Sequence, residues 1–187
     1  TAPYNRSFWR LVSKYPVLIV HAFHPTRVLP PACPLALTGF YRPKASPDFM
    51  KIATWNVNSL SVRLPQVLAW LSANPVDALC LQELKMTDDK FPFDAFQAAG
   101  YQATAFGQKT YNGVALITRE PVDSVVRNIP GFADEQSRVI AATLPTPDGP
   151  LRIVNGYFVN GQAPDTDKFA YKLNWLTALQ NWLRDEL

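Results

Sequence analysis

Proline divides this chain into two unlike parts, and that division limits what can fold. Eight of the 17 prolines lie in residues 1–49, including the adjacent pair Pro30 and Pro31. Proline removes a backbone donor and breaks helices and central strands, and this segment shows no sustained helical or strand period. We therefore expect residues 1–49, called the leader below, to build no core. Residues 50–187 have regular apolar periodicity and are expected to form the folded domain.

The leader also carries the positive charge of the chain. Its net charge is +5, whereas that of residues 50–187 is −2, so the overall +3 is no argument for nucleic-acid binding. Three origins are open: translation upstream of a true start at Met50, a flexible basic arm, or a transit peptide. We favour the first, which makes the leader non-native or disordered. His21 and His24 lie there, and an isolated pair of this kind is weak evidence of a metal site.

Cysteine and hydropathy patterns indicate the cellular compartment in which the protein is expected and whether it would cross a membrane. Cys33 and Cys80 fit neither a disulfide framework nor a zinc site, so a reducing, bacterial-type cytoplasm is expected. No apolar run reaches the roughly 18 residues that span a bilayer, so no membrane partner is expected. A monomer is expected.

The periodicity after Met50 predicts a β-α-β start followed by a run of strands. Strands are predicted at 51–56, 78–81, 101–106, 114–118, 122–128, 139–143 and 151–157, with a hairpin turn at Asp148–Gly149. Helices are predicted at 63–73, 92–99 and 167–187. On the last helix the residues spaced for burial are Phe169, Leu173, Leu176, Leu179 and Leu183. This order predicts an α/β sandwich with sheets inside and helices outside.

Polar residues collect where the predicted strands end, and α/β folds usually place their sites there. Asn56 and Asn58 are two apart, so on an extended segment both amides point the same way. Glu83 follows an apolar strand, where a carboxylate can bind a hard cation. Taken singly, an Asn pair that caps a turn and a solvated Glu are the commoner explanations.

Three later blocks add further polar groups. In Tyr111–Gly113 a glycine allows close approach of backbone to a ligand. Arg138 could pair with a carboxylate or reach a phosphate. Tyr157 and Asn160 lie between glycines at a strand end, where a phenol could donate to a phosphate oxygen. The ordinary alternatives are a plain turn, a surface salt bridge, and a core Tyr with a turn Asn.

The joint order of these blocks is more specific than any one of them. WNVNSL, LQE, YNGVA, DEQSRVI, NGYFVNG and an amphipathic helix with Tyr and Lys resemble the exodeoxyribonuclease III family of AP endonucleases, within the endonuclease/exonuclease/phosphatase superfamily. The resemblance covers residues 51–187. It implies a four-layer α/β sandwich of two mixed β-sheets flanked by helices, here without its C-terminal half.

The resemblance also implies an activity and roles for particular residues. It implies a Mg²⁺-dependent 3′–5′ exodeoxyribonuclease and AP endonuclease of base excision repair, with Mn²⁺ as the alternative ion. Its partner is double-stranded DNA with abasic sites or 3′ ends. The implied catalytic residues are Tyr157 and Asn56. The implied metal-site residues are Glu83, Asn56 and Asn58. The implied DNA-binding residues are Tyr111, Asn112, Gly113, Arg138, Asn160, Lys168 and Lys172.

Two motifs that the resemblance implies do not occur in the 187 residues. These are Gly-Asp-x-Asn, which activates the attacking water, and Ser-Asp-His, which completes the site. We therefore expect this polypeptide to be poorly soluble, with sheet edges uncovered, and catalytically inactive. Two other functions stay open: a superfamily phosphatase acting on inositol phosphates or a phospholipid, and a non-catalytic DNA-binding remnant.

Overall fold

The structure, a computed structural model, describes residues 17–20 and 50–186. The strands of sheet A are β1 (Val17–Val20), β6 (Asp123–Arg127), β7 (Val139–Leu144) and β8 (Leu151–Gly156). Those of sheet B are β2 (Ile52–Asn56), β3 (Ala78–Gln82), β4 (Gln102–Phe106) and β5 (Val114–Thr118). Sheet A has the strand order β1-β8-β7-β6 and sheet B the order β2-β3-β5-β4. The helices are α1 (Leu60–Ala73), α2 (Phe93–Ala98) and α3 (Asp167–Glu186), with a 3₁₀ turn at Asp88–Lys90.

Both sheets mix parallel and antiparallel pairs. In sheet B, β2 pairs parallel to β3, and β5 pairs antiparallel to both β3 and β4. In sheet A, β1 pairs parallel to β8, while β7 pairs antiparallel to both β8 and β6. The predicted class, two mixed sheets flanked by helices, is confirmed.

Alternation along the strands produces the four layers. On β3, Leu79 and Leu81 face α1 and α2, whereas Ala78 and Cys80 face sheet A. Because successive side chains point to opposite faces of a sheet, a strand buried on both sides is apolar throughout. Sheet A has the same arrangement, since Val139, Ala141 and Val154 pack against α3 and the alternate residues of β7 and β8 pack against sheet B.

The predicted buried face of α3 is confirmed except at Leu173. Leu179 is buried, and Leu176 and Leu183 pack against the same cluster, as predicted. Leu173 is 49% exposed, and it lies about 200° round the helix from Trp175. The prediction for Leu173 was wrong because Trp175 and Trp182, at i and i+7 with Leu179 at i+4, fill the space over sheet A.

Other differences concern boundaries and the leader. Helix α1 begins at Leu60, three residues before the predicted start, with Pro65 inside it. Strand β1 was not predicted, and it pairs Val17–Val20 with residues 152–155 of β8. The rest of the leader, with His21, His24 and Cys33, lies outside the described residues, so its origin stays a prediction. In the part of the chain described, no helix is both long and apolar enough to cross a bilayer.

A polar contact between Gln82 and Asn155 joins the two sheets. Gln82 Nε2 donates to Asn155 Oδ1 at 2.6 Å. Asn155 Nδ2 donates to the carbonyls of Leu81 and Ala115, at 2.9 Å in each case. Gln82 and Asn155 are fully buried, so water cannot replace a hydrogen bond that is lost here. We call this contact the inter-sheet bridge.

We expect Asn155→Ala to lower the free energy of unfolding by about 2–4 kcal/mol, because the Leu81 and Ala115 carbonyls and the Gln82 amide of sheet B each lose a buried hydrogen bond. Urea denaturation measures the loss. Gln180→Ala, on the exposed side of α3, is the control and should change stability by less than about 0.5 kcal/mol. Equal stabilities for the two variants would show that the bridge contributes nothing.

Candidate active site

The Glu83 carboxylate lies at the end of β3, at the mouth of the sandwich. Its backbone is left-handed, with φ of 58°, and its side chain is almost buried. Asn56 Nδ2 donates to Glu83 Oε1 at 2.7 Å, and Lys85 Nζ lies 3.3 Å from Oε2. The structure therefore brings together Asn56 and Glu83, two of the residues that the resemblance implies for the metal site.

Asn58 reaches the same place by a different route from the one predicted. Its φ is 44°, and its backbone N–H donates to Asn56 Oδ1 at 3.1 Å. The chain turns after β2, so extended alternation does not align the two amides, and the Asn pair also caps the turn. Asn58 Oδ1 accepts a hydrogen bond from Lys85 Nζ. We call Asn56, Asn58, Glu83 and Lys85 the carboxylate cluster.

The Glu83 carboxyl group is held in its ionised form. Burial by itself would raise its pKa, but hydrogen bonds from Asn56, Tyr157 and Lys85, together with the Lys85 charge, outweigh burial and lower the pKa below its usual value. A carboxylate with several donors binds protons weakly. Glu83 is therefore a fixed negative charge at neutral pH.

Tyr157 connects this cluster to the next feature. Burial, the hydrogen bond to Glu83 and the charge of that carboxylate raise the pKa of Tyr157 to about 12. The phenol therefore stays protonated at neutral pH and acts as a donor. The Arg138 guanidinium lies over the Tyr157 ring, 5.2 Å from its centroid, within the range of a cation–π contact.

A cleft of about 360 Å³ opens beside Tyr157. We call it the cationic cleft, because Arg138 and Lys168 both line it. Its lining residues are Gln136, Arg138, Tyr157, Val159, Asn160, Gln162, Lys168 and Tyr171. Four of the predicted site residues, Arg138, Tyr157, Asn160 and Lys168, thus come together. Lys172 does not line it, because its stem lies against Gly161, where an added Cβ would be 2.8 Å from Lys172 Cδ.

The loop at 111–113 divides into an outward and an inward part. Tyr111 is 67% exposed. Asn112 is buried, and its amide donates to Gln108 at 2.9 Å and to Gln136 at 3.2 Å. Gly113 has φ of 89°, and a Cβ there would lie 2.9 Å from Leu84 Cβ. The glycine thus serves close packing within the chain, and Tyr111 is the member of this loop free to meet a ligand.

Arg138 is buried and its hydrogen bonds are internal, so the surface salt bridge considered for it is not formed. Its guanidinium donates to Gln136 Oε1 through Nη2 at 2.6 Å and Nε at 3.0 Å, and to the Tyr157 carbonyl at 3.3 Å. Gln136 Oε1 thus acts as a hub, because it accepts hydrogen bonds from both Arg138 and Asn112.

Sequence reasoning missed three contributors: Lys85, Gln136 and the pair Asp134–Tyr171, in which the Tyr171 hydroxyl donates to Asp134 Oδ2 at 2.7 Å. All lie inside or next to the motif blocks. For Lys85, the available signal was a cation two residues beyond a strand-end carboxylate. For Gln136 and Tyr171 no local pattern distinguishes a hub from an ordinary surface residue.

The donor set suits a hard divalent ion bound largely through water. Mg²⁺ prefers oxygen ligands, keeps several waters, and is often held by one or two carboxylates. The cluster offers one ionised carboxylate, with amide oxygens nearby, and already holds a cation in Lys85. Among the described residues no group of three or more His, Cys, Asp or Glu could enclose a metal. Asn56 points its nitrogen at Glu83, which suits orienting the carboxylate.

We expect Glu83→Gln to destabilise the fold in a pH-dependent way. Because folding lowers the pKa of Glu83 from about 4.5, its stabilisation is present above that pH and is lost as the pH falls through the folded pKa. Urea denaturation should therefore show a stability gap between wild type and variant at pH 7 that shrinks below pH 4.5. Glu120→Gln, on an exposed turn, should show no such gap. A stability difference between wild type and Glu83→Gln that is the same at pH 7 and below pH 4.5 would contradict the assignment of Glu83 as a carboxylate whose pKa is lowered by folding.

Comparison with known proteins agrees with this geometry. The sequence pattern of the Endonuclease/Exonuclease/phosphatase family matches residues 53–186. Exodeoxyribonuclease III of Haemophilus influenzae is 35% identical over 139 residues, which cover 73% of this chain and 52% of that relative.

Solved structures give the same result. The 3′ phosphatase NExo from Neisseria, bound to a product DNA hairpin, has 51% identity and a TM-score of 0.70, over 74% of this chain and 52% of that one. An AP endonuclease from Archaeoglobus fulgidus has 35% identity and a TM-score of 0.69, with the same coverage of 74% and 52%. The chain thus spans about half the length of the relatives it matches. On both sequence and fold, it belongs to the endonuclease/exonuclease/phosphatase family.

Proposed function

We propose that this chain carries the metal-binding and phosphate-binding part of a Mg²⁺-dependent DNA-repair phosphodiesterase of the exodeoxyribonuclease III type. The whole enzyme would act as a 3′–5′ exodeoxyribonuclease and AP endonuclease in base excision repair. One observation carries the proposal. Tyr157 and the Glu83 carboxylate interact closely enough for each to shift the pKa of the other, and Tyr157 also lines a cleft that contains Arg138 and Lys168.

Each group has a task that phosphate-ester hydrolysis requires. The cationic charges of Arg138 and Lys168 bind and orient a phosphate in the cleft. Tyr157, protonated at neutral pH because its pKa is raised to about 12, donates a hydrogen bond to a non-bridging oxygen as charge develops there. Asn160 lies on the rim of the same cleft and can donate to a neighbouring phosphate.

Glu83 would hold the metal, with Asn56 orienting it and Asn58 bordering the ion. Bound Mg²⁺ would polarise the phosphoryl oxygen and help the leaving oxygen. Mn²⁺ satisfies the same oxygen donors and is the alternative ion.

The substrate we propose is double-stranded DNA, at abasic sites or 3′ ends. The similarity to an exodeoxyribonuclease, to a DNA-bound 3′ phosphatase and to an AP endonuclease supports this class. The 51% identity with the 3′ phosphatase favours a second candidate activity, removal of a 3′ phosphate. The same cleft could bind that terminal phosphate, because the reaction needs the same clamp on non-bridging oxygens.

Two other functions predict different behaviour. A superfamily phosphatase acting on inositol phosphates or a phospholipid should bind those ligands in competition with DNA. A non-catalytic remnant should bind DNA with no dependence on metal. We further propose a monomer in a reducing, bacterial-type cytoplasm, a setting favoured by a sequence whose two cysteines fit no disulfide framework.

Lys168→Ala should weaken binding of an abasic-site duplex about five- to ten-fold, because it removes one of two cleft cations and one phosphate contact. Fluorescence anisotropy at 50–200 mM salt would measure this and should show a shallower salt dependence for the variant. Arg184→Ala removes a charge from the exposed last turn of α3 and should leave binding unchanged. Equal losses of DNA affinity in both variants would indicate a general charge effect and contradict phosphate binding in the cationic cleft.

The 187-residue polypeptide alone should not cleave DNA, since Gly-Asp-x-Asn and Ser-Asp-His are absent from its sequence. Incubation with Mg²⁺ and duplexes that carry an abasic site, a recessed 3′ end or a 3′ phosphate should give no product above the Glu83→Ala variant. Metal-dependent product above that variant would contradict the expected inactivity and establish which bond is hydrolysed.

A further inference from the structure

Lys85 is placed where a bound cation would lie. Its Nζ is 3.3 Å from Glu83 Oε2 and donates to Asn58 Oδ1. These two oxygens come from different loops, one after β2 and one after β3. A single positive group thus bridges the carboxylate and the amide oxygen that a metal ion would also use.

The backbone around the cluster is arranged to bring these groups together. Asn58, Glu83 and Lys85 have φ values of 44°, 58° and 55°, a conformation that costs energy for residues with a side chain. Ser59 N–H donates to the Glu83 carbonyl at 2.8 Å, and Lys85 N–H to the Asn112 carbonyl at 3.0 Å. Backbone hydrogen bonds at Glu83 and at Lys85 therefore hold in place the segment that carries the ammonium group.

We propose that Lys85 is a tethered counter-ion, which occupies the cation position between Glu83 and Asn58 in the metal-free chain and is displaced when a divalent ion binds. This inference rests on the proposed metal role of Glu83. Two cations cannot contact the same carboxylate oxygen without strong repulsion. The lysine side chain is flexible and is 31% exposed, against 11% for Glu83, so the ammonium can move into water while the carboxylate stays.

Such a counter-ion has two consequences. It keeps Glu83 ionised and in place before the metal arrives, so the cluster avoids an unpaired, nearly buried charge. It also lowers the affinity for metal, because the metal must replace the existing ion pair between Lys85 and Glu83. Removing the ammonium should therefore tighten metal binding while making the metal-free chain less stable.

The test is a titration with Mn²⁺, followed by the electron paramagnetic resonance signal of the free ion, with Mg²⁺ as competitor and without DNA. Lys85→Met keeps the length of the side chain and removes its charge. We expect it to bind Mn²⁺ about three- to ten-fold more tightly than wild type. Lys90→Met, which removes a charge from the exposed 3₁₀ turn, should bind as wild type does.

A second measurement uses thermal unfolding. Without metal, Lys85→Met should melt below wild type, and added Mg²⁺ should raise its melting temperature by more than that of wild type. Where the Met variant does not fold, Lys85→Gln, which retains a donor for Asn58, replaces it and should show the same direction.

The outcomes separate the two claims. The Lys85 variants could bind metal as wild type does or more weakly, while Glu83→Gln abolishes binding. That result would contradict the counter-ion role of Lys85 and support the metal site at Glu83. Wild-type binding that survives Glu83→Gln would overturn the metal site itself, and the counter-ion with it.

Discussion

The geometry of the site depends on the inter-sheet bridge between Gln82 and Asn155. Apolar packing between sheets is not directional, so it holds two sheets together without setting how far one slides along the other. Hydrogen bonds have preferred distances and angles, and the bridge places four polar groups of two sheets in one buried contact. Glu83 follows Gln82 directly, and Tyr157 comes two residues after Asn155. The same contact that sets the alignment of the sheets therefore brings the carboxylate and the phenol close enough for each to shift the pKa of the other.

Periodicity was sufficient to predict most elements and the sandwich. A strand buried on both faces, such as β3, is apolar along its length, and its end is marked by Gln82 and Glu83. What periodicity could not resolve was whether Leu173 or Trp175 is buried on α3, because both are hydrophobic and only the shape of sheet A distinguishes them. Strand β1 could not be predicted because four apolar residues among prolines carry no period.

The candidate site was predictable to the extent that strand ends converge. Asn56, Glu83 and Tyr157 are close because their strands end at the same side of the sandwich. Lys85, Gln136 and Tyr171 lie in the motif blocks or next to them, yet their roles come from contacts 27, 24 and 37 residues away in sequence. No local pattern carries that information for Gln136 and Tyr171, and for Lys85 the local signal is limited to its position two residues beyond Glu83. Asn112 shows the converse, since the resemblance implies a DNA-binding role for it, whereas its amide donates to Gln108 and Gln136 within the chain.

Charge is also distributed in a way that net charge conceals. Residues 50–187 carry a net charge of −2, yet Arg138 and Lys168 lie together in one cleft beside Tyr157, which interacts with the Glu83 carboxylate. Tyr157 belongs to both sides of this arrangement, because its ring lies under Arg138 and Glu83 raises the pKa of its hydroxyl. A hydroxyl has one proton to donate. In the proposed function, a phosphate oxygen in the cleft and the Glu83 carboxylate would therefore compete for the Tyr157 hydroxyl. A metal ion at Glu83 would make that carboxylate a poorer acceptor, so the proposed metal binding in the carboxylate cluster and phosphate binding in the cationic cleft would be coupled through Tyr157.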